Sequence, residues 1–226
     1  MPRVIVFDLM GTLLDPQAMD PYFERFFGDA AIQKEWFRQT LQLAMAATLA
    51  SAYEDYGVQG DTGLEITARH YKVSLLGEEK NLILGTLAKL RPFPEVAQSL
   101  QSLRDAGLAL AALTNSTAQV AEAQLTYAGL RDYFEQVISA DEVSRCKPAP
   151  EVYHLAARRL GVEPGQLRLV AAHDWDVTGA LRAGCAAVFI SRPGQVMNPF
   201  GPQPDIRGAD LGAVGKQIVA VELGQG

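Results

Sequence analysis

Short apolar runs alternate with longer stretches of helical periodicity along most of this chain. Val4–Phe7 is continuously apolar and opens with three β-branched residues, the pattern of a strand buried on both faces. Residues 108–113, Leu167–Ala171 and Ala186–Ile190 are similar, mostly apolar runs. Between these runs, apolar positions fall on one helical face. They are Val96, Leu100 and Leu103 within 94–106, and Val120, Ala123, Tyr127 and Ala128 within 117–128. Within Pro150–Leu160 they are Val152, Leu155, Ala156 and Leu160. Gly107, Gly129, Gly161 and Gly184 stand where helices should stop. This order predicts an α/β fold, a doubly wound, Rossmann-like parallel sheet with right-handed crossovers.

Residues 15–91 break the alternation. Phe37, Leu41, Ala44, Met45 and Leu49 follow helical spacing, 82–90 does likewise, and 57–63 reads as a turn between helices. No strand pattern is visible in this stretch. The expectation is an all-helical cap, 15–91, inserted into an α/β core made of 1–14 and 92–226. Such a cap sits over the carboxyl end of the sheet, where open α/β folds bind ligands. Residues 193–204 read as a loop and 209–221 as a terminal helix.

Composition narrows the function classes. The 226 residues are 48% apolar and 20% charged, as in folded proteins and unlike disordered ones. A net charge of −6 and a pI near 5.1 argue against a nucleic-acid surface. Two cysteines, Cys146 and Cys185, are too few for a disulfide framework and read as small buried hydrophobes. The apolar runs are strand-sized, so no membrane partner is expected. Val4–Phe7 is shorter than the apolar core of a secretory leader, which predicts a cytoplasmic protein.

Polar residues gather at the ends of the predicted strands. Asp8 follows the first, with Gly11 and Thr12 close behind; Thr114, Asn115 and Ser116 close the second. Lys147 precedes Pro148 and a helix, and His173, Asp174 and Asp176 follow Leu167–Ala171. Each alone reads equally as a cap or a turn. Together they put a carboxylate, a cation and hydroxyl donors at one end of the sheet, the setting a nucleophilic carboxylate needs.

The runs FDLMGTLLD, LTNS, ISADEVSRCKPAPEVY and AAHDWDVTGALRAG resemble, in order, the four motifs of the haloacid dehalogenase-like hydrolases. The resemblance spans nearly the whole chain and implies Asp8 as nucleophile, with Lys147 holding its charge and Asp176 beside it. Phosphatases of this superfamily carry a second aspartate two residues after the nucleophile for acid–base work; here that position is Met10, which transfers no proton. Of the acidic pair that holds Mg²⁺ in those enzymes, Asp176 remains and the other position is alanine, unless Asp174 reaches in.

Both departures resemble the L-2-haloacid dehalogenase branch, which needs no metal or other cofactor. The branch implies hydrolysis of small (S)-2-haloalkanoic acids through an aspartyl ester. It implies that Arg38, on a cap helix, receives the halide or the substrate carboxylate. Thr12 and Thr114 would supply hydroxyls, Asn115 would orient the site, and Met10, Tyr153 and Trp175 would line it. Arg38 reads equally as a solvated helix residue, and Tyr153 and Trp175 equally as packing residues. The branch usually carries serine, serine, asparagine in its fourth motif; this chain has Ala171, Ala172 and His173. His173 is a candidate general base, oriented by Asp15, Asp20 or Glu24, or a hydrogen-bonding substitute for the asparagine. Two other readings remain open: another hydrolase of the same fold, such as a Mg²⁺-dependent phosphatase of a small phosphate ester or a related C–N hydrolase, and a catalytically silent binding protein. The aromatic cluster Tyr22, Phe23, Phe26 and Phe27 reads as cap core or as the contact of a homodimer. His70 and His154 read as ordinary helix or surface residues. The expected partner is a small anionic substrate.

Overall fold

Val4–Phe7 forms strand β1 at the centre of the sheet, and Ile5, Val6 and Phe7 are at most 1% exposed. In this computed structural model, which describes residues 2–224, the chain next forms β2 (Leu14–Asp15). The helices α1 (Asp20–Phe27), α2 (Ile32–Leu49), α3 (Tyr56–His70) and α4 (Gly77–Gly85) follow, then β3 (Arg91–Pro92). The rest alternates: α5 (Val96–Asp105), β4 (Leu110–Thr114), α6 (Ala118–Tyr127), β5 (Gln136–Ser139), α7 (Pro150–Leu160) and β6 (Leu167–Ala171). It ends with α8 (Asp174–Arg182), β7 (Ala186–Ile190), β8 (Ile206–Gly208) and α9 (Leu211–Leu223).

Among the described residues, six strands form a parallel sheet in the order β5-β4-β1-β6-β7-β8. The pleat sends alternate side chains to opposite faces. Ile5, Phe7, Leu110, Ala112 and Val170 pack with Leu100 of α5 and Val214 of α9. Val6, Ala111, Leu113, Leu169 and Ala171 pack with Val152 and Ala156 of α7 and Val177 of α8. From β1 the chain runs outward to β4 and β5, then returns to place β6 on the other side of β1. The carboxyl ends of β1 and β6 therefore flank a topological switch point, the ligand-binding crevice of open α/β folds.

Every helix from α1 to α4 lies between β2 and β3. These two strands pair antiparallel, Leu14 with Pro92 and Asp15 with Arg91, so the chain enters and leaves the helical segment side by side. No strand is expected here from the sequence, because two residues carry no periodicity. Residues 57–63, expected as a turn, lie in the body of α3. Asp55 caps that helix by accepting from the Gly57 and Val58 amides. The glycines serve close packing instead. A Cβ on Gly63 would lie 2.5 Å from Thr40 Oγ1 of α2, and the Gly60 carbonyl accepts from Trp36 Nε1 at 2.9 Å. Phe23 is buried against Phe27 and Trp36, so the aromatic cluster packs into the helical segment.

The face predicted for α6 is corrected. Ala123 and Tyr127 are exposed, while Ala121, Gln124 and Leu125 are buried. Gln124 Nε2 donates to the Leu87 carbonyl at 2.9 Å, which turns that face inward. Both cysteines are free and buried, as read. No helix among the described residues is long and apolar enough to cross a membrane.

Candidate active site

Asp8 follows β1 directly, its amide still paired with the Val170 carbonyl of β6 at 3.1 Å. That bond aims its side chain into the switch-point crevice. The chain then turns through Gly11 at φ 79°, which returns Thr12 beneath Asp8. Thr12 Oγ1 donates to Asp8 Oδ2 at 2.7 Å and accepts from the Ala172 amide at 2.9 Å. One hydroxyl thus locks the ends of β1 and β6 together.

Lys147 comes from the loop between β5 and α7 and is fully buried. Its Nζ lies 3.2 Å from Asp8 Oδ1 and 2.7 Å from Asp176 Oδ2. The Tyr153 hydroxyl of α7 donates to Asp176 Oδ1 at 2.7 Å. That contact requires α7 and α8 to approach closely at Gly179, where a Cβ would stand 2.4 Å from the Tyr153 hydroxyl. Asn115 Oδ1 accepts from the Lys147 amide at 2.8 Å and so fixes the lysine's backbone. Thr114 is buried and its Oγ1 accepts from the Ser116 amide at 3.1 Å.

The electrostatics follow from this arrangement. Burial pushes the Asp8 carboxyl up, but the Lys147 charge and the His173 and Thr12 hydrogen bonds overcome it and hold the group well below the usual carboxylate range. Burial would discharge Lys147, yet the charges of Asp176 and Asp8 raise it and keep it an ammonium. Burial and the nearby Asp8 carboxylate push Asp176 up, against the pull of Lys147. Lys147 Nζ fills the space between the two carboxylates. Among the described residues, no group of three or more His, Cys, Asp or Glu side chains is placed to hold a metal ion.

His173 Nδ1 lies 3.2 Å from Asp8 Oδ2. Its ring stacks on Trp175 at 5.1 Å and packs against Phe37 of α2 at 5.6 Å. The carboxylates proposed to orient it are elsewhere. Asp15 caps the turn that follows it through the Gln17 amide, and Glu24 accepts from the Ala30 amide. Asp20 opens α1 and makes no hydrogen bond or ion pair with the imidazole. Asp8 itself orients the ring. Asp174 makes no hydrogen bond or ion pair with Asp8, Lys147 or Asp176.

Asp8, Thr12, Lys147, Tyr153, His173, Trp175 and Asp176 therefore converge, with Thr114 and Asn115 supporting them from the end of β4. Met10 is half-buried at the turn beside them, bridged to Leu14. Arg38 does not join them. Its side chain is 73% exposed and pairs with Glu35 one turn back, at 3.4 Å. Its neighbour Phe37 is a cap residue that packs against His173. In the sequence Phe37 is only one member of an apolar stripe. Arg192, which follows β7 and is 7% exposed, stands in none of the four motifs. Arg192 Nη2 donates to the Thr12 carbonyl at 2.8 Å, Nη1 meets Glu95 at 2.7 Å, and the guanidinium covers Phe93 at 3.7 Å. A strand-terminal cation was the available signal, hidden by the loop that begins at Pro193.

A parallel sheet with a helical insertion after its first strand, and with these groups at its switch point, defines a capped α/β hydrolase. The chain belongs to the haloacid dehalogenase-like hydrolase family, whose profile matches residues 2–184. It is 32% identical to an (S)-2-haloacid dehalogenase of Pseudomonas sp. (strain YL), over 93% of this chain and 91% of that protein. An (S)-2-haloacid dehalogenase 4A of Burkholderia cepacia is 30% identical, over 85% of this chain and 84% of its own. Among solved structures, the L-2-haloacid dehalogenase from Xanthobacter autotrophicus with chloropropionic acid covalently bound matches with a TM-score of 0.90. It is 25% identical, over 96% of this chain and 98% of that one.

Proposed function

We propose that this protein hydrolyses the carbon–halogen bond of small (S)-2-haloalkanoic acids, with Asp8 as nucleophile. One observation carries the reading: a buried aspartate is kept ionised by Lys147, with Met10 where a proton-transferring acid would be needed. A halide leaves without a proton, so this site lacks nothing for the first step. Among the described residues, Asp8 Oδ1 accepts only from Lys147, whereas Oδ2 accepts from both Thr12 and His173. Oδ1 thus keeps lone-pair density free for in-line attack on C2. The C2–halogen pair leaves with the halide, C2 inverts, and an ester joins C2 to Oδ1. Water then adds to the ester carbonyl carbon and releases the 2-hydroxy acid. Of its two protons, one ends on the product hydroxyl and one reaches solvent. The relatives named above support this substrate class.

The same reading divides the chain into a core of 1–14 and 92–226 and a cap of 15–91, supported by the β2·β3 pairing at the junction. Asp8, Asp176 and Lys147 carry one net negative charge between them, so an anionic substrate needs a further cation. Arg38 would supply it by giving up its pairing with Glu35. Arg38→Ala is expected to lower kcat/KM about 10²-fold, the scale of a lost charge-assisted hydrogen bond. Arg38→Ala kinetics equal to wild type would leave it a solvated residue.

The test of the activity is release of halide from (S)-2-chloropropionate, with and without Mg²⁺. The mass of the Asp8 peptide after rapid quenching is read alongside. Mg²⁺-independent release with a transient ester on Asp8 is expected. Mg²⁺-dependent release of phosphate from a phosphate monoester, without halide release, overturns the reading in favour of a phosphatase. Turnover of neither substrate class leaves the silent binding protein.

A further inference from the structure

We propose that Thr12 and His173 form a donor pair that takes up the negative charge on Asp8 Oδ2 while the ester is hydrolysed. His173 then acts through Nδ1 as a hydrogen-bond donor to Oδ2. The proposal rests on the aspartyl-ester reading above.

The directions of the hydrogen bonds carry the argument. Thr12 Oγ1 already accepts from the Ala172 amide, so its single proton points at Oδ2, 2.7 Å away. An ionised carboxylate has no proton to give, so the proton between His173 and Asp8 belongs to Nδ1. Two donors therefore converge on Oδ2, while Oδ1 accepts from Lys147. Ala171 and Ala172 bring no side-chain donor, which leaves Oδ2 to Thr12 and His173. The imidazole is held in this pose. It is 4% exposed, stacked on Trp175, packed against the tilted Phe37 ring, and backed by Gly11, where a Cβ would lie 3.0 Å from Nε2.

The chemistry places charge where these donors are. In the ester, Oδ1 bears the substrate carbon and Oδ2 is the carbonyl oxygen. When water adds to Cγ and loses one proton to solvent, the π pair moves onto Oδ2 between the two donors. Collapse re-forms the carbonyl and breaks Cγ–Oδ1. The departing oxygen takes a proton from the Lys147 ammonium, and the new carboxylic acid returns one to it. The donors are in place before the charge forms, the condition under which such groups accelerate acyl transfer most. At 3.2 Å, the Nδ1 contact shortens as the charge builds.

The experiment is a single-turnover rapid quench with (S)-2-chloropropionate, following halide and the Asp8 ester by mass. His173→Phe fills the same slot between two aromatic rings without a donor. Its ester should form in a normal burst, then break down about 10²-fold more slowly than in wild type and accumulate. His173→Asn restores an N–H near the Nδ1 position but has no basicity, and its ester should break down within about tenfold of wild type. Three results overturn the proposal: His173→Asn as slow as His173→Phe, His173→Phe clearing its ester at the wild-type rate, or His173→Phe failing to make it. Absence of the ester from wild type itself overturns the aspartyl-ester reading, and the donor pair falls with it.

Discussion

Asp8→Asn is expected to lower halide release by about 10⁴-fold or more, the scale seen when a covalent nucleophile is removed. The amide oxygen is a poor nucleophile, and no second carboxylate can replace it. Asp176 is fully buried and already engaged by Lys147 and Tyr153. The fold should survive, because the amide oxygen still accepts from Thr12 and His173, and Asp176 still neutralises Lys147. The comparison to make is initial halide release and the mass of the quenched protein, with thermal unfolding as control. Retention of even a tenth of wild-type release, or an adduct on another residue, would move the nucleophile elsewhere. The low carboxyl pKa of Asp8 adds a second expectation. Lys147 and its other partners keep Asp8 ionised far below neutral pH, so nucleophile protonation should set no acid limb above about pH 5.

How far these positions could be read from the sequence depended on what each signal was made of. Strands β1, β6 and β7 were legible because burial on both faces makes them apolar throughout or nearly so. Strands β5 and β8 were not. Gln136 and Val137 are only half-buried in β5, and β8 has three residues with one exposed. In α6, small and apolar residues lie on two faces, and choosing Ala121 over Ala123 required knowing where Gln124 finds a partner. Asp8, Lys147 and Asp176 stand next to predicted elements, so topology alone brought them together. The direction of Arg38 depends on side-chain rotamers, and the imidazole's partner depends on a contact 165 residues away in sequence, so neither could be read from spacing. Lys147 is the residue on which the charge balance of the whole site depends.

Lys147→Met is expected to destabilise the protein by about 3–5 kcal/mol near pH 8, because it leaves Asp8 and Asp176 buried without their cation. The loss should depend on pH, and its sign follows from the protonation of each state. In wild type, the lowered Asp8 contributes stability that is present above the unfolded carboxylate range and lost as pH falls through its folded value. The raised Lys147 contributes stability that is complete below its unfolded value near 10.5 and lost as pH rises through its folded one. Without Lys147, burial and mutual repulsion raise both carboxyls. The folded variant then holds more protons than the unfolded chain, and its stability falls as pH rises. The gap between wild type and variant should therefore be widest near pH 8 and narrow toward pH 5, as read from urea midpoints at the two values. A gap independent of pH would mean that the methionine disrupts packing instead. Activity should show the same linkage. The Asp8 carboxyl, released from Lys147, titrates closer to neutrality, so the variant's residual ester formation should rise with pH while its stability declines. Only a site in which one ammonium balances two buried carboxylates ties those opposite trends to a single substitution.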